Sequence, residues 1–170
     1  MSDYARRMYA EALTRLNDAD VLAESMRTQS DSQQLLRILA FEVLLKCAVR
    51  LCDQTAKASH NYNNLWLALP GHARKQILLT AQERMPGHAN FSDLERLLKA
   101  YQFVFEKARY YYELNEGNTL RQQRARGLRW RRRGAPEDEA DLRYYPNELD
   151  CLIVGLRAFI EARLAGAAAP

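Results

Sequence analysis

At 170 residues, with 48% apolar residues, seven glycines and five prolines, the chain is long enough for one sizeable core and too apolar to be disordered throughout. Its net charge is +4, and no apolar run approaches the roughly 18 residues that a membrane-spanning helix needs. An odd set of three cysteines, Cys47, Cys52 and Cys151, contains no CxxC; they read as buried free thiols of a reducing compartment, with no metal or cofactor expected.

Leu, Ala, Arg, Glu and Gln dominate, which favours helices over strands. The first predicted helix spans about Asp3 to Met26, where Tyr9, Ala12, Leu13, Leu16, Ala19, Ala23 and Met26 recur at helical spacing. This N-terminal stretch is charged and amphipathic, unlike a secretory signal, and points to a cytoplasmic protein. Ser30-Asp31-Ser32-Gln33 matches a capping box and opens a second helix to about Lys57. That helix is apolar around nearly its whole circumference, as a buried central helix must be, except for a thin line of Glu42, Lys46, Arg50 and Asp53.

His60 to Asn64 reads as a turn, Leu65 to Leu69 as a short helical turn, and His72 to Arg84 as a helix with Ile77, Leu78 and Ala81 apolar. Ser92-Asp93-Leu94-Glu95 matches a second capping box. The helix it opens carries Leu94, Leu97, Leu98, Tyr101, Val104, Phe105, Ala108, Tyr111 and Tyr112 on one stripe, and continues to about Asn115 before Gly117. Residues 118–141 then change character. Arg121, Arg124, Arg126, Arg129, Arg131, Arg132 and Arg133 are followed by Glu137, Asp138, Glu139 and Asp141, and without those seven arginines the chain is net acidic. Pro146 opens a closing helix with Leu149, Leu152, Ile153, Leu156, Phe159 or Ile160, and Leu164 inward. The expected architecture over 1–170 is therefore a single all-α domain. It is an antiparallel up-and-down bundle of about five main helices plus a short helical turn, with an extended basic connection before the last helix.

Two stretches carry candidate chemistry. One is Glu42-xxx-Lys46 followed by His60-x-Tyr62-xx-Leu65-Trp66; the other is Phe105-Glu-Lys-Ala-Arg109-Tyr-Tyr-Tyr-Glu113. Together they resemble the HEPN superfamily of compact all-α domains over about Asp31–Glu116. The resemblance implies a homodimer with a polar cleft, here Glu42, Lys46, Glu113 and Asn115. It also implies a prokaryotic defence or toxin–antitoxin setting, with a nucleotidyltransferase as one kind of partner protein. Many members are metal-independent endoribonucleases whose signature is an Arg followed, after four to six residues, by a His. Arg109 matches the Arg, but Leu114, Asn115 and Glu116 fill the positions at that spacing and no histidine follows His88. None of the three replaces imidazole as an acid–base group.

Each candidate has a plainer reading beside the functional one. Glu42 and Lys46 form either an ordinary i,i+4 surface pair or one wall of a cleft shared with Arg109. His60 is a turn histidine or an acid–base group, and Arg109 either pairs with Glu113 or clamps a phosphate. Leu120 to Gly134 is either a solvated linker, neutralised by the acids that follow, or an element that contacts nucleic acid through its seven arginines and Trp130. Three functions follow: a HEPN-like protein that binds RNA or a nucleotide without the usual catalytic His; an active ribonuclease with a rearranged site of Arg109 and His60; or a non-catalytic dimeric interaction module.

Overall fold

The computed structural model describes residues 3–25, 31–52, 60–107, 110, 112–136 and 139–166. These residues form seven α-helices: α1 (Asp3–Ser25), α2 (Asp31–Leu51), α3 (Tyr62–Ala68), α4 (Gly71–Arg84), α5 (Leu94–Lys107), α6 (Leu120–Arg132) and α7 (Pro146–Gly166). No strand occurs among them, and the all-helical bundle expected from the sequence is what the chain forms.

α2 lies at the centre and packs against α1, α7, α3 and α5. The directions follow from the contacts. Cys47 Sγ near the end of α2 lies 3.4 Å from the Ala5 carbonyl at the start of α1, while Arg37 near the start of α2 bonds Asp20 near the end of α1 at 2.5 Å. The pair is antiparallel. By the same test α4 and α7 are antiparallel, since Arg84 pairs with Asp150 at one end and Arg163 with His72 at the other. α2 and α7 run parallel: Tyr144, just before α7, bonds Asp31 at the start of α2, and further along both Arg37 meets Asp150. Phe41, fully buried on α2, makes edge contacts with Tyr62 of α3 and Tyr101 of α5, each with ring centroids 5.7 Å apart. Such a pair adds about 0.5–1.5 kcal/mol beyond the burial of its rings.

The inward stripes of α5 and α7 hold: Leu97, Leu98, Tyr101, Val104 and Phe105 are buried, as are Leu149, Leu152, Ile153, Leu156, Phe159, Ile160 and Leu164. On α1 the burial stops short of Ala23, which is exposed. Met26, Ser30, Asp53, Lys57, Ala108, Arg109, Tyr111, Glu137 and Asp138 lie outside the described residues.

Four expectations need correction. The cap of α5 is shifted by one: Asp93 Oδ1, not Ser92, accepts the Arg96 N–H at 3.0 Å, because a carboxylate at that position reaches the free donors of the first turn. α5 ends at Lys107 rather than near Asn115; Glu113–Asn115 instead form a 3-10 turn that tucks Asn115 inside and leaves Tyr112 exposed. Cys52 is only half-buried, unlike Cys47 and Cys151. The arginine segment is no extended connection but the helix α6, opened by a capping box in which Thr119 and Gln122 bond reciprocally. Its Leu, Gln, Ala and Arg residues are good helix formers, so the run of charge concealed an ordinary helical sequence.

Gly155 sets the spacing of α4 and α7. A Cβ there would lie 2.4 Å from the Ile77 carbonyl oxygen, a backbone atom that cannot swing aside. Gly155→Ala is expected to cost about 2 kcal/mol or more, read as a lower midpoint in urea unfolding. Burial pushes the Cys47 thiol up to about 11. A thiol reagent at pH 7 is therefore expected to label Cys52 in the native protein and Cys47 only on unfolding.

Candidate functional site

Glu42 is in the middle of α2 and only 4% exposed. A carboxylate taken that far from water must be compensated or lose its charge. Three donors compensate it. Lys46, one turn on, places Nζ 2.7 Å from Oε1; Tyr62 donates its hydroxyl to Oε2 at 3.0 Å; and His60 Nδ1 lies 3.0 and 3.1 Å from the two oxygens. Burial pushes the Glu42 pKa up, but these donors more than offset it and hold the carboxyl below the ordinary glutamate value.

Local structure brings His60 there. Asn61 caps α3, its side chain accepting the Asn64 N–H at 2.8 Å, and this fixes how the chain enters the helix. The residue before the cap is then held beside α2, and its ring stacks on Phe105 of α5 with centroids 4.9 Å apart and 28° between planes. An ionised carboxylate only accepts hydrogen bonds, so His60 Nδ1 donates to Glu42 and Nε2 is the ring nitrogen left for other partners. The His60 side chain is 59% exposed, whereas that of Glu42 is 5% exposed. The result is an accessible imidazole oriented from behind by a buried carboxylate, which suits proton transfer at Nε2.

The structure thus brings Glu42, Lys46 and His60 together, with Tyr62 and Phe105 as the further parts. Tyr62 belongs to the same His60-x-Tyr62 string, and that spacing was the available signal; Phe105 had none beyond its place on an apolar stripe. Arg109, the other candidate for catalysis, lies outside the described residues. Glu113 and Asn115 do not join this group. Glu113 is exposed in the 3-10 turn, and Asn115 is held elsewhere, its Oδ1 accepting from Arg126 at 2.6 Å.

A second site lies along α6. Arg126 also reaches Asp141 at 2.9 Å, and Arg133 pairs with Glu139. Trp130 donates Nε1 to the Pro136 carbonyl at 2.9 Å. Gln123, Arg126 and Trp130 lie on the helix's inner side and border an open-mouthed cavity of about 250 Å³. The outer side differs. Arg121, Arg124, Arg131 and Arg132 share one face at 3.6 residues per turn, with Arg129 at its edge. All five are exposed and none pairs with an acid among the described residues. No side chain of α6 is buried. Of the seven arginines, then, two are neutralised inwardly and five face outward over a helix about 20 Å long. No group of three or more His, Cys, Asp or Glu suited to a metal ion occurs among the described residues, nor any helix long and apolar enough to cross a membrane.

Comparison with protein-family models, curated proteins and solved structures finds no match to the chain.

The Glu42 charge carries a pH signature. Its folded pKa is lowered, so the stability it adds is complete above the unfolded value of about 4.3 and is lost as pH falls through the folded one. Glu42→Gln is expected to flatten the acid limb of the stability–pH curve. Glu42→Ala is expected to cost about 3 kcal/mol near neutral pH, because it strands the Tyr62 hydroxyl and the Lys46 charge; chemical denaturation at a series of pH values measures both.

Proposed function

We propose that this protein binds RNA through the outer face of α6. The observation that carries the reading is the division of charge on that helix: Arg126 and Arg133 are spent on Asp141 and Glu139, while Arg121, Arg124, Arg129, Arg131 and Arg132 stay exposed and unmatched by described acids. A row of guanidinium groups on one rigid helix matches the repeat of backbone phosphates and gives bidentate contacts to them. The proposal includes kinship with the HEPN-like domains. Its support is that Glu42, Lys46 and His60, which carry the likeness, meet at a single point. The homodimer and the defence or toxin–antitoxin setting that this kinship implies are part of the same proposal.

A second reading is favoured by the orientation of His60. With RNA bound, His60 Nε2 takes the proton of a ribose 2′-hydroxyl as that oxygen attacks the adjacent phosphorus. The bond from phosphorus to the 5′-oxygen breaks and that oxygen takes a proton from water, leaving a 2′,3′-cyclic phosphate and a 5′-hydroxyl. Glu42 stabilises the imidazolium formed, as a buried carboxylate behind a histidine does. RNA cleavage that survives both His60→Ala and Arg109→Ala overturns this version.

Five phosphate contacts on a single strand give a slope of about −3 to −4 in log K against log salt. Arg129→Glu with Arg131→Glu is expected to weaken binding at least tenfold and to reduce that slope to about −2. Fluorescence anisotropy of a labelled RNA over a salt series measures both. Binding that is insensitive to salt and to the double reversal overturns the reading.

A further inference from the structure

We propose that the cavity beneath α6 takes one unstacked guanine base of the bound RNA, a proposal that rests on RNA binding by the outer face of the same helix. The cavity, of about 250 Å³, lies between the inner side of α6, the segment 139–144 and the start of α2. That is slightly below the roughly 300 Å³ at which pockets for whole small ligands begin, and it suits one base better than a nucleotide. Trp130 and Tyr144 give it aromatic walls. Trp130 is already fixed by its bond to the Pro136 carbonyl, so stacking on it costs little further ordering.

The polar lining selects the base. Three carboxylates border the cavity, Asp31, Glu139 and Asp141, which makes it unfit for phosphate. Two of them are already matched by arginines, Asp141 by Arg126 and Glu139 by Arg133. Asp31 is the third. Its Oδ1 accepts the Tyr144 hydroxyl at 2.7 Å, and it meets no cation among the described residues. It lies in the first turn of α2, where the helix dipole favours a negative charge. A carboxylate facing an aromatic slot accepts two parallel hydrogen bonds from a base that offers two donors on one edge. Guanine does so with N1–H and its 2-amino group, whereas adenine, cytosine and uracil offer no two adjacent donors on their pairing edges, and a carboxylate set across those edges would meet an acceptor. Single-stranded RNA supplies such bases readily, since its bases splay from the backbone while phosphates stay on a basic surface.

The test compares a labelled uridine nonamer with the same strand carrying one central guanosine, on the full chain. The guanosine strand is expected to bind about tenfold more tightly and to quench the emission of Trp130; Trp66, the other tryptophan, is buried at 5% exposure. Asp31→Asn is expected to abolish the tenfold preference and leave the uridine nonamer bound as before, because Asn still accepts from Tyr144. Equal affinity for the two strands with unchanged emission overturns the guanine site and leaves RNA binding standing. If neither strand binds, the RNA reading fails, and free guanosine at millimolar concentration decides the cavity by itself. Quenching that Asp31→Asn removes sustains the site. Absence of quenching, or quenching by spermidine in place of guanosine, overturns it.

Discussion

A charged carboxylate in the middle of the central helix is the constraint to which the surrounding elements answer. Glu42 is nearly as inaccessible as the leucines beside it on α2. Left alone it would either take up a proton or destabilise the helix bundle by several kcal/mol. Its donors come from three separate places: one turn along α2, the residue before the Asn61 cap, and the first residue of α3. Satisfying the charge therefore fixes where the chain returns after α2, and that in turn seats α3 against α5. The ring of His60 is placed between a carboxylate and the face of Phe105 as a by-product of the same requirement.

The second organising feature is the unequal use of arginine. An arginine paired with a carboxylate at a half-exposed site adds little to stability, on the order of 1 kcal/mol or less. The pairs Arg126–Asp141 and Arg133–Glu139 matter more for position. They tie the inner side of α6 to the returning segment and so decide which arginines face outward. The acidic residues after the helix thus steer the basic ones instead of cancelling them, which separates a positive outer face from an acceptor-rich inner cavity within one short helix.

Much of the fold was legible because it rests on local, periodic signals. The stripes of α5 and α7 at three- and four-residue spacing, the all-round apolar pattern of α2 and the Pro146 start of α7 all read directly. Errors arose where a side chain's partner is distant in sequence. Asn115 looks like the end of a helix, but its place is set by Arg126, eleven residues on. Tyr112 continues a helical stripe only if the helix continues, and α5 stops at Lys107. The candidate site shows the same division. Glu42 and Lys46 are visible as an i,i+4 pair, whereas His60 bonds a residue 18 positions away, a pairing that no local pattern states. The cavity under α6 was illegible because Asp31 and Tyr144 are brought together from opposite parts of the chain.

That α6 sends no side chain into the core has a consequence for how this chain can change. Bundle residues such as Gly155 or Phe41 are bound by volume and can be exchanged only with compensation from their neighbours. The arginines on the outside of α6 answer to none of those limits. Substitutions there alter the surface potential while the packing of the other helices stays as it is, so folding and surface charge are written in separate sets of positions. Within one scaffold, the charge of this outer face can be raised, lowered or reversed one residue at a time.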